Sequence, residues 1–473
     1  LITERTAGVG AAIIFAATAT LFPFGRAQQQ GLPAVPGAKV VTISPRYGSF
    51  NEPSVAINRG NPNQVVAAFQ SPAQVSYTDD GGQHWQLATG TAPTDYKVSG
   101  DVSITYDILG HAILCYIAFD KLGTAQYWAR GATRNGVYVR RSLDGGKTWE
   151  ANAVAVDEQP THPDMPFEDK PYLVADDNPD SPFAGNLYLG WTEFSLSKSI
   201  VLFSRSTDGG ITWSLPYEIS THEGIPRDDN GAVEGFSAAA GPDGTLYTAW
   251  SDGNSIVMAI SHDGGLTFRE SRPILSVPAS YFKVEDVERS DGFPQIGIDP
   301  RTQRLYVTWS DTRNGDLDVF CATSSDRGNS WSPAVRVNDD PVHNGRDQFF
   351  QWLAIDPSDG SAFVIFYDQR QDPENHSAMI TLARSTNGGQ SFTNYSWTQN
   401  PFFPNNMFVG DYLGLAALNG KVYGAWAYLE AANGRRFPVA EGQRRPSGAI
   451  RVLRRPTPLV VQLGMADFSG LPK

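Results

Sequence analysis

Beyond residue 27, apolar and polar positions follow the period of strands. Short runs rich in Val, Ile, Tyr, Phe and Trp are punctuated by clusters of Gly, Pro, Asn and Asp, with no long helical period. The chain is therefore read as all-β. One stretch displays the unit well: 295–299 (QIGID), a turn at 300–303, 305–309 (LYVTW), a longer connection, 319–324, a tight polar turn, and 331–337. That makes four strands per unit, A to D. The same plan fits seven places, with A strands beginning near Ser54, Ser103, Tyr172, Ser237, Gln295, Gln351 and Leu413.

The turn between the C and D strands repeats most clearly. Its copies are 78–85 (TDDGGQHW), 142–149 (SLDGGKTW), 206–213 (STDGGITW), 261–268 (SHDGGLTF), 324–331 (SSDRGNSW) and 385–392 (STNGGQSF). They recur every 55 to 64 residues or so, a spacing that signals stacked or radial repeats. Asp or Asn at the third position folds back on backbone N–H groups, Gly at the fifth supplies positive φ, and the aromatic at the eighth packs on neighbouring structure. The seventh unit has no such turn. Its C strand is placed at 448–453, and its D strand at either 40–44 (VVTIS) or 458–464 (PLVVQLG). Pairing the two ends of the chain closes a ring and leaves no exposed edge.

S-x-D-x-G-x-x-W repeated on four-stranded units resembles the Asp-box, or bacterial neuraminidase repeat, of the sialidase-like β-propellers. The resemblance spans nearly everything after residue 27, with Asn387 replacing the Asp once and Phe268 and Phe392 replacing the Trp. It implies a seven-bladed β-propeller of antiparallel four-stranded blades, six blades being the alternative, in a single domain over 28–473. Propellers with such boxes include sialidases, other glycosidases, lyases, lectins and receptors, so the motif speaks to fold and not to function.

Charge and composition narrow the classes. A formal charge of −13 and a pI near 5.0 argue against nucleic acid as a partner. Cys115 and Cys321 fall in different units and are read as buried thiols instead of a disulfide framework. Residues 1–27 combine Arg5, an apolar run over 7–24 and Gly25-Arg26-Ala27, the pattern of a signal peptide, which gives a secreted or periplasmic protein. An uncleaved membrane anchor is the rival reading of that segment. A monomer is expected.

In antiparallel units the A–B turns and the C–D boxes share one face, and the long B–C and D–A connections share the other. Function usually rides on such loops. An acidic residue precedes each A strand on the loop-rich face: Glu52, Asp101, Asp169, Glu234, Asp291, Asp347 and Asp411. These carboxylates either cap strand starts or crowd into a pocket whose raised pKa values yield a proton donor beside an ionised partner, as glycoside hydrolysis needs. A bound Ca²⁺ is a third use, and nothing calls for another cofactor. Arg46, Arg289 and Arg346 reach this face from D–A connections, and Arg313 and Arg370 follow B strands in S-D-T-R and Y-D-Q-R. Such arginines either grip an acidic sugar or pair with Asp311 and Asp368 at the rim.

The sialidase resemblance implies three arginines on the substrate carboxylate, an Asp proton donor and a Tyr nucleophile activated by Glu. Arg46, Asp101, Glu234, Arg289, Arg346 and Tyr412 supply that order. Two departures weaken the match: Arg46 is followed by Tyr-Gly where sialidases have Ile-Pro, and there are seven units where known sialidases have six blades. The expectation is a sialidase-like glycoside hydrolase acting on a glycan, with Asp101 as acid, Glu234 as base and Tyr412 as nucleophile. A non-catalytic glycan- or protein-binding propeller and a polysaccharide lyase are the alternatives.

Overall fold

The computed structural model describes residues 31–70, 72–92, 96, 98–120, 134–160, 166–398, 400–429 and 458–472. The signal segment at 1–27 and the C strand expected at 448–453 lie outside the described residues. Pro33–Lys473 forms one compact unit.

Seven four-stranded antiparallel sheets make a β-propeller. Their A strands are Asn51–Ile57, Val98–Tyr106, Phe167–Ala175, Val233–Ala240, Gln295–Asp299, Gln348–Ile355 and Gly414–Leu418, in blades 1 to 7. Each A strand packs on the next, and that of blade 7 packs on that of blade 1, which closes the ring. Six blades follow chain order from A to D. Blade 7 is composite, with Gly414–Leu418, Lys421–Leu429, Leu459–Asp467 and Lys39–Thr42 side by side. Of the two segments weighed for its D strand, the N-terminal one takes that place. The other is the C strand, in register from Lys39↔Met465 to Thr42↔Gln462.

Each B strand lies between neighbouring blades and is covered on both faces, which is why these strands read as unbroken apolar runs. The indoles of Trp191, Trp250, Trp309 and Trp426 lie within the B strands of blades 3, 4, 5 and 7 and are at most 1% exposed. Burying a side chain of this size stabilises by roughly 2–3 kcal/mol.

The boxes bridge C and D strands and hold themselves. In blade 3 the Ser206 hydroxyl donates to Asp208 Oδ1 at 2.8 Å, and Ile211 N and Thr212 N donate to the same oxygen at 3.1 and 2.9 Å. Thr212 Oγ1 donates to Oδ2 at 2.6 Å, and Gly210 N to Ser206 Oγ at 2.9 Å. Gly209 and Gly210, at φ 70° and 83°, make the reversal that a Cβ would strain. Asn387 preserves the first contact, accepting from Ser385 Oγ at 2.9 Å.

Candidate functional site

Five A strands slip register near their starts, between Asn51 and Ser54, Gly100 and Ser103, Asp169 and Tyr172, Glu234 and Ser237, and Phe349 and Trp352. Each slip holds a residue in the left-handed region: Glu52 (φ 49°), Asp101 (47°), Lys170 (49°), Gly235 (79°) and Phe350 (52°). For a residue with a Cβ this conformation costs about 1–3 kcal/mol, and bulges of this kind re-aim side chains. Here they gather charge. Glu52, Asp101, Asp169, Lys170, Glu234 and Asp411 come together at the A-strand starts, joined by Asp228, Tyr281, Arg289 and Asp291 from D–A connections.

Lys170 is the hub. Its buried Nζ lies 3.0 Å from Glu234 Oε1, 3.1 Å from Asp411 Oδ2, 3.3 Å from Asp169 Oδ2 and 3.7 Å from Asp228 Oδ1. Arg289 is spent in the same way: Nε donates to Asp411 Oδ1 at 2.9 Å, Nη2 to Asp411 Oδ2, and Nη1 to Asp228 Oδ2 at 2.6 Å. Asp411 N in turn donates to Glu52 Oε1 at 3.0 Å, and Lys170 N to Asp101 Oδ2 at 3.1 Å. Tyr281 donates its phenol proton to Glu234 Oε2 at 2.7 Å.

Seven carboxyl groups thus share two cations, and protonation makes up the shortfall. Burial, then the charge of Asp411, pushes Glu52 up to about 8. Burial, then Glu52, pushes Asp101 up to about 7. Asp169, Glu234 and Asp291 are raised well above the usual carboxylate range, chiefly by burial, against the pull of Lys170. The oxygens of Asp169, Asp228 and Glu234 lie within 4.8 Å of one another, as a cation site requires, and the Lys170 ammonium already supplies positive charge among them.

A cleft open to solvent lies over this cluster. Glu52, Asp101, Asp169, Lys170, Arg289 and Asp411 line it, with Ile117, Phe119, Met407 and Phe408 giving it apolar surface. Below, Tyr412 lines a separate cavity in the channel with Tyr172, Phe293 and Trp352.

The residues picked out in the sequence divide into two groups. Asp101, Glu234, Arg289, Asp291 and Tyr412 meet at this cluster. Five others do not join it. Arg46 is exposed, and Arg346 turns back on Gly345 O at 3.3 Å. Arg313 forks onto Asp311, and Arg370 bonds Asp368 Oδ2 at 2.5 Å, both as rim pairs. Asp347 accepts from Leu317 N at 3.0 Å, capping a neighbouring connection. Tyr412 is half-buried with its ring tilted on Trp352, and its buried hydroxyl oxygen has no hydrogen-bond partner. Sequence reasoning passed over Lys170 and Asp228, and took Tyr281 only for an aromatic on which a sugar could stack. One signal was present: Glu52 and Lys170 are charged residues directly preceding Pro at a strand start.

The BNR/Asp-box repeat family model matches residues 204–215. A sialidase of Micromonospora viridifaciens is 26% identical over 310 residues, 61% of this chain and 44% of the relative, so the chain spans less than half of that protein's length. Among solved structures, a Hadza microbial sialidase aligns with a TM-score of 0.46 at 15% identity, covering 77% of this chain and 70% of its own. A polysaccharide lyase, an ulvan lyase, aligns at 0.47 and 11% identity, covering 81% and 92%. With six boxes in the sequence and seven four-stranded blades, the chain is an Asp-box-bearing β-propeller that resembles the sialidases.

Proposed function

We propose that the protein is a secreted or periplasmic glycoside hydrolase of sialidase-like type that takes a glycan into the cleft over the A-strand starts. The observation that carries this reading is Asp101, which lines the cleft with its Oδ2 accepting from Lys170 N at 3.1 Å and is raised by burial to about 7. A group with that pKa is about half protonated at neutral pH, and its protonated form can give the proton to a leaving oxygen. The Tyr281 hydroxyl and Glu234, 2.7 Å apart, are the pair this reading takes for nucleophile and base in place of Tyr412, with Glu234 acting as base once it has given up the proton that burial favours.

The test is a panel of aryl glycosides and natural glycans, scored for reducing ends and for the ultraviolet absorbance of an unsaturated uronate. Hydrolysis by the wild type and a loss of about 100-fold or more in Asp101→Asn are expected. Asn tolerates the left-handed backbone at this position, so the variant should fold. No turnover on any substrate, or full activity in the variant, refutes the reading, and uronate absorbance replaces it with a lyase. Glycan binding without turnover is the second reading. It is favoured by Glu234, which is 0% exposed with both oxygens already engaged, by Tyr281 and Lys170. Saturable binding with no product would decide for it.

A further inference from the structure

The cleft that would hold the glycan has an uneven charge balance. Glu52, Asp101, Asp169, Asp411 and, at its exposed edge, Glu288 line it, against Lys170 and Arg289. Neither cation is available to a ligand. Arg289 directs Nε, Nη1 and Nη2 at Asp411 and Asp228 while its guanidinium lies 5.0 Å over the Phe408 ring. Lys170 sits among four carboxyl groups. Of the arginines expected to grip a sugar carboxylate, Arg313 and Arg370 pair with Asp311 and Asp368, Arg346 turns back on Gly345 O, and Arg46 is exposed and does not line the cleft. In contrast, an acceptor is left over: Glu52 is 1% exposed, lines the cleft, and its Oε2 has no hydrogen-bond partner.

From this we infer that the cleft selects a saccharide carrying a protonated amine, such as a glucosamine oligomer, and disfavours sugars carrying a carboxylate. The inference deepens the hydrolase reading of the same cleft by naming its substrate class. An ammonium brings the donors that Glu52 Oε2 lacks and offsets the excess negative charge, whereas a uronate or sialic acid meets acceptors and no unspent cation among the described residues that line the cleft. The ring's apolar face has Ile117, Phe119, Met407 and Phe408 to lie against. Bound ammonium also favours the charged form of Glu52, whose pKa of about 8 leaves it holding a proton in the empty cleft. Binding at pH 7 therefore releases protons.

Isothermal titration calorimetry tests this with glucosamine oligomers, their N-acetylated counterparts and oligogalacturonates of equal length. In the wild type the glucosamine oligomer should bind at least about tenfold tighter than the oligogalacturonate. The preference should shrink as salt rises past about 0.15 M, where the screening length falls below about 8 Å. The binding enthalpy should vary with the ionisation enthalpy of the buffer in the sense of proton release. Glu288→Lys changes an exposed residue that the structure ties into no bond. It should weaken glucosamine binding about threefold or more, and by a larger factor than N-acetylated binding, at an unchanged melting temperature. Equal or tighter oligogalacturonate binding, an unchanged glucosamine affinity in Glu288→Lys, or no binding of any oligomer overturns the inference. Glucosamine binding without hydrolysis keeps it and removes the hydrolase reading. Hydrolysis of acidic glycans without preference does the reverse.

Discussion

The ammonium of Lys170 lies 3.0 Å from Glu234 Oε1, and the two side chains are 6% and 0% exposed. One buried cation therefore neutralises several blades at once, since its other contacts reach Asp411 and Asp228. Removing one partner of a buried ion pair costs about 3–5 kcal/mol because the other is left uncompensated. Lys170→Met should lose about that much stability at pH 7.5 and less at pH 5, where the orphaned carboxyls take up protons instead. Urea unfolding at both pH values checks this. A loss below about 1 kcal/mol at both would show that the cluster does not depend on its lysine.

The wild type should itself lose stability as pH rises. Glu52 goes from 4.5 to about 8 and Asp101 from 3.8 to about 7 on folding, so between these values the folded chain holds protons that the unfolded chain has released. Stability from such groups is present in full below the unfolded pKa and disappears as pH climbs through the folded one. The boxes act in the opposite sense. Asp326 is held at about 2, first by the Ser330 hydroxyl. Asp263 also lies at about 2, because hydrogen bonds led by the Thr267 hydroxyl outweigh its burial. Their contribution is present above 3.8 and is lost as pH falls towards 2. Melting temperatures measured from pH 2 to 9 should peak at about 4 to 5. Glu52→Gln should flatten the alkaline limb, and a wild-type maximum near pH 8 would contradict the assignment.

The ring could be read from the chain because each blade restates its signals locally. The 206–213 box, the Y-x-x-W ending of B strands such as 305–309, and the acid before each A strand all lie within a few residues of what they organise. The closing of blade 7 was harder, since Lys39–Thr42 and Leu459–Asp467 come from opposite ends and both read as strands. The site was legible only as a face. Whether Asp347 or Lys170 belongs to it depends on a one-residue bulge that turns one side chain inward, and periodicity cannot locate such a bulge. Arg313 and Arg370 were separable in principle: each follows an Asp by two residues, and each pairs with that Asp.

Asp208 tests the opposite face. Its carboxylate accepts from Ser206, Ile211 and Thr212, all within the same turn. Asp208→Ala removes acceptors that hold the turn and should cost about 1–2 kcal/mol. The boxes lie on the end of the blades away from the cleft, so turnover or glycan affinity of the folded variant should stay within about twofold of wild type. A large loss of affinity without a loss of stability would place function at the boxes.

Tyr281 and Tyr412 separate the sequence assignment from the structural one. The Tyr412 hydroxyl is buried without a hydrogen-bond partner, so Tyr412→Phe discards an unsatisfied group and should leave stability unchanged or raise it by up to about 1 kcal/mol. Its effect on turnover should be small. Tyr281→Phe instead deprives Glu234 Oε2 of its donor at 2.7 Å, at a cost of about 1–3 kcal/mol. Under the hydrolase reading it also removes the nucleophile, and kcat should fall by about 100-fold or more while KM changes little. Thermal melts and steady-state kinetics on the two single variants suffice. If Tyr412→Phe is inactive at unchanged stability and Tyr281→Phe turns over normally, the nucleophile returns to Tyr412 and the Glu234–Tyr281 pair is a structural contact alone.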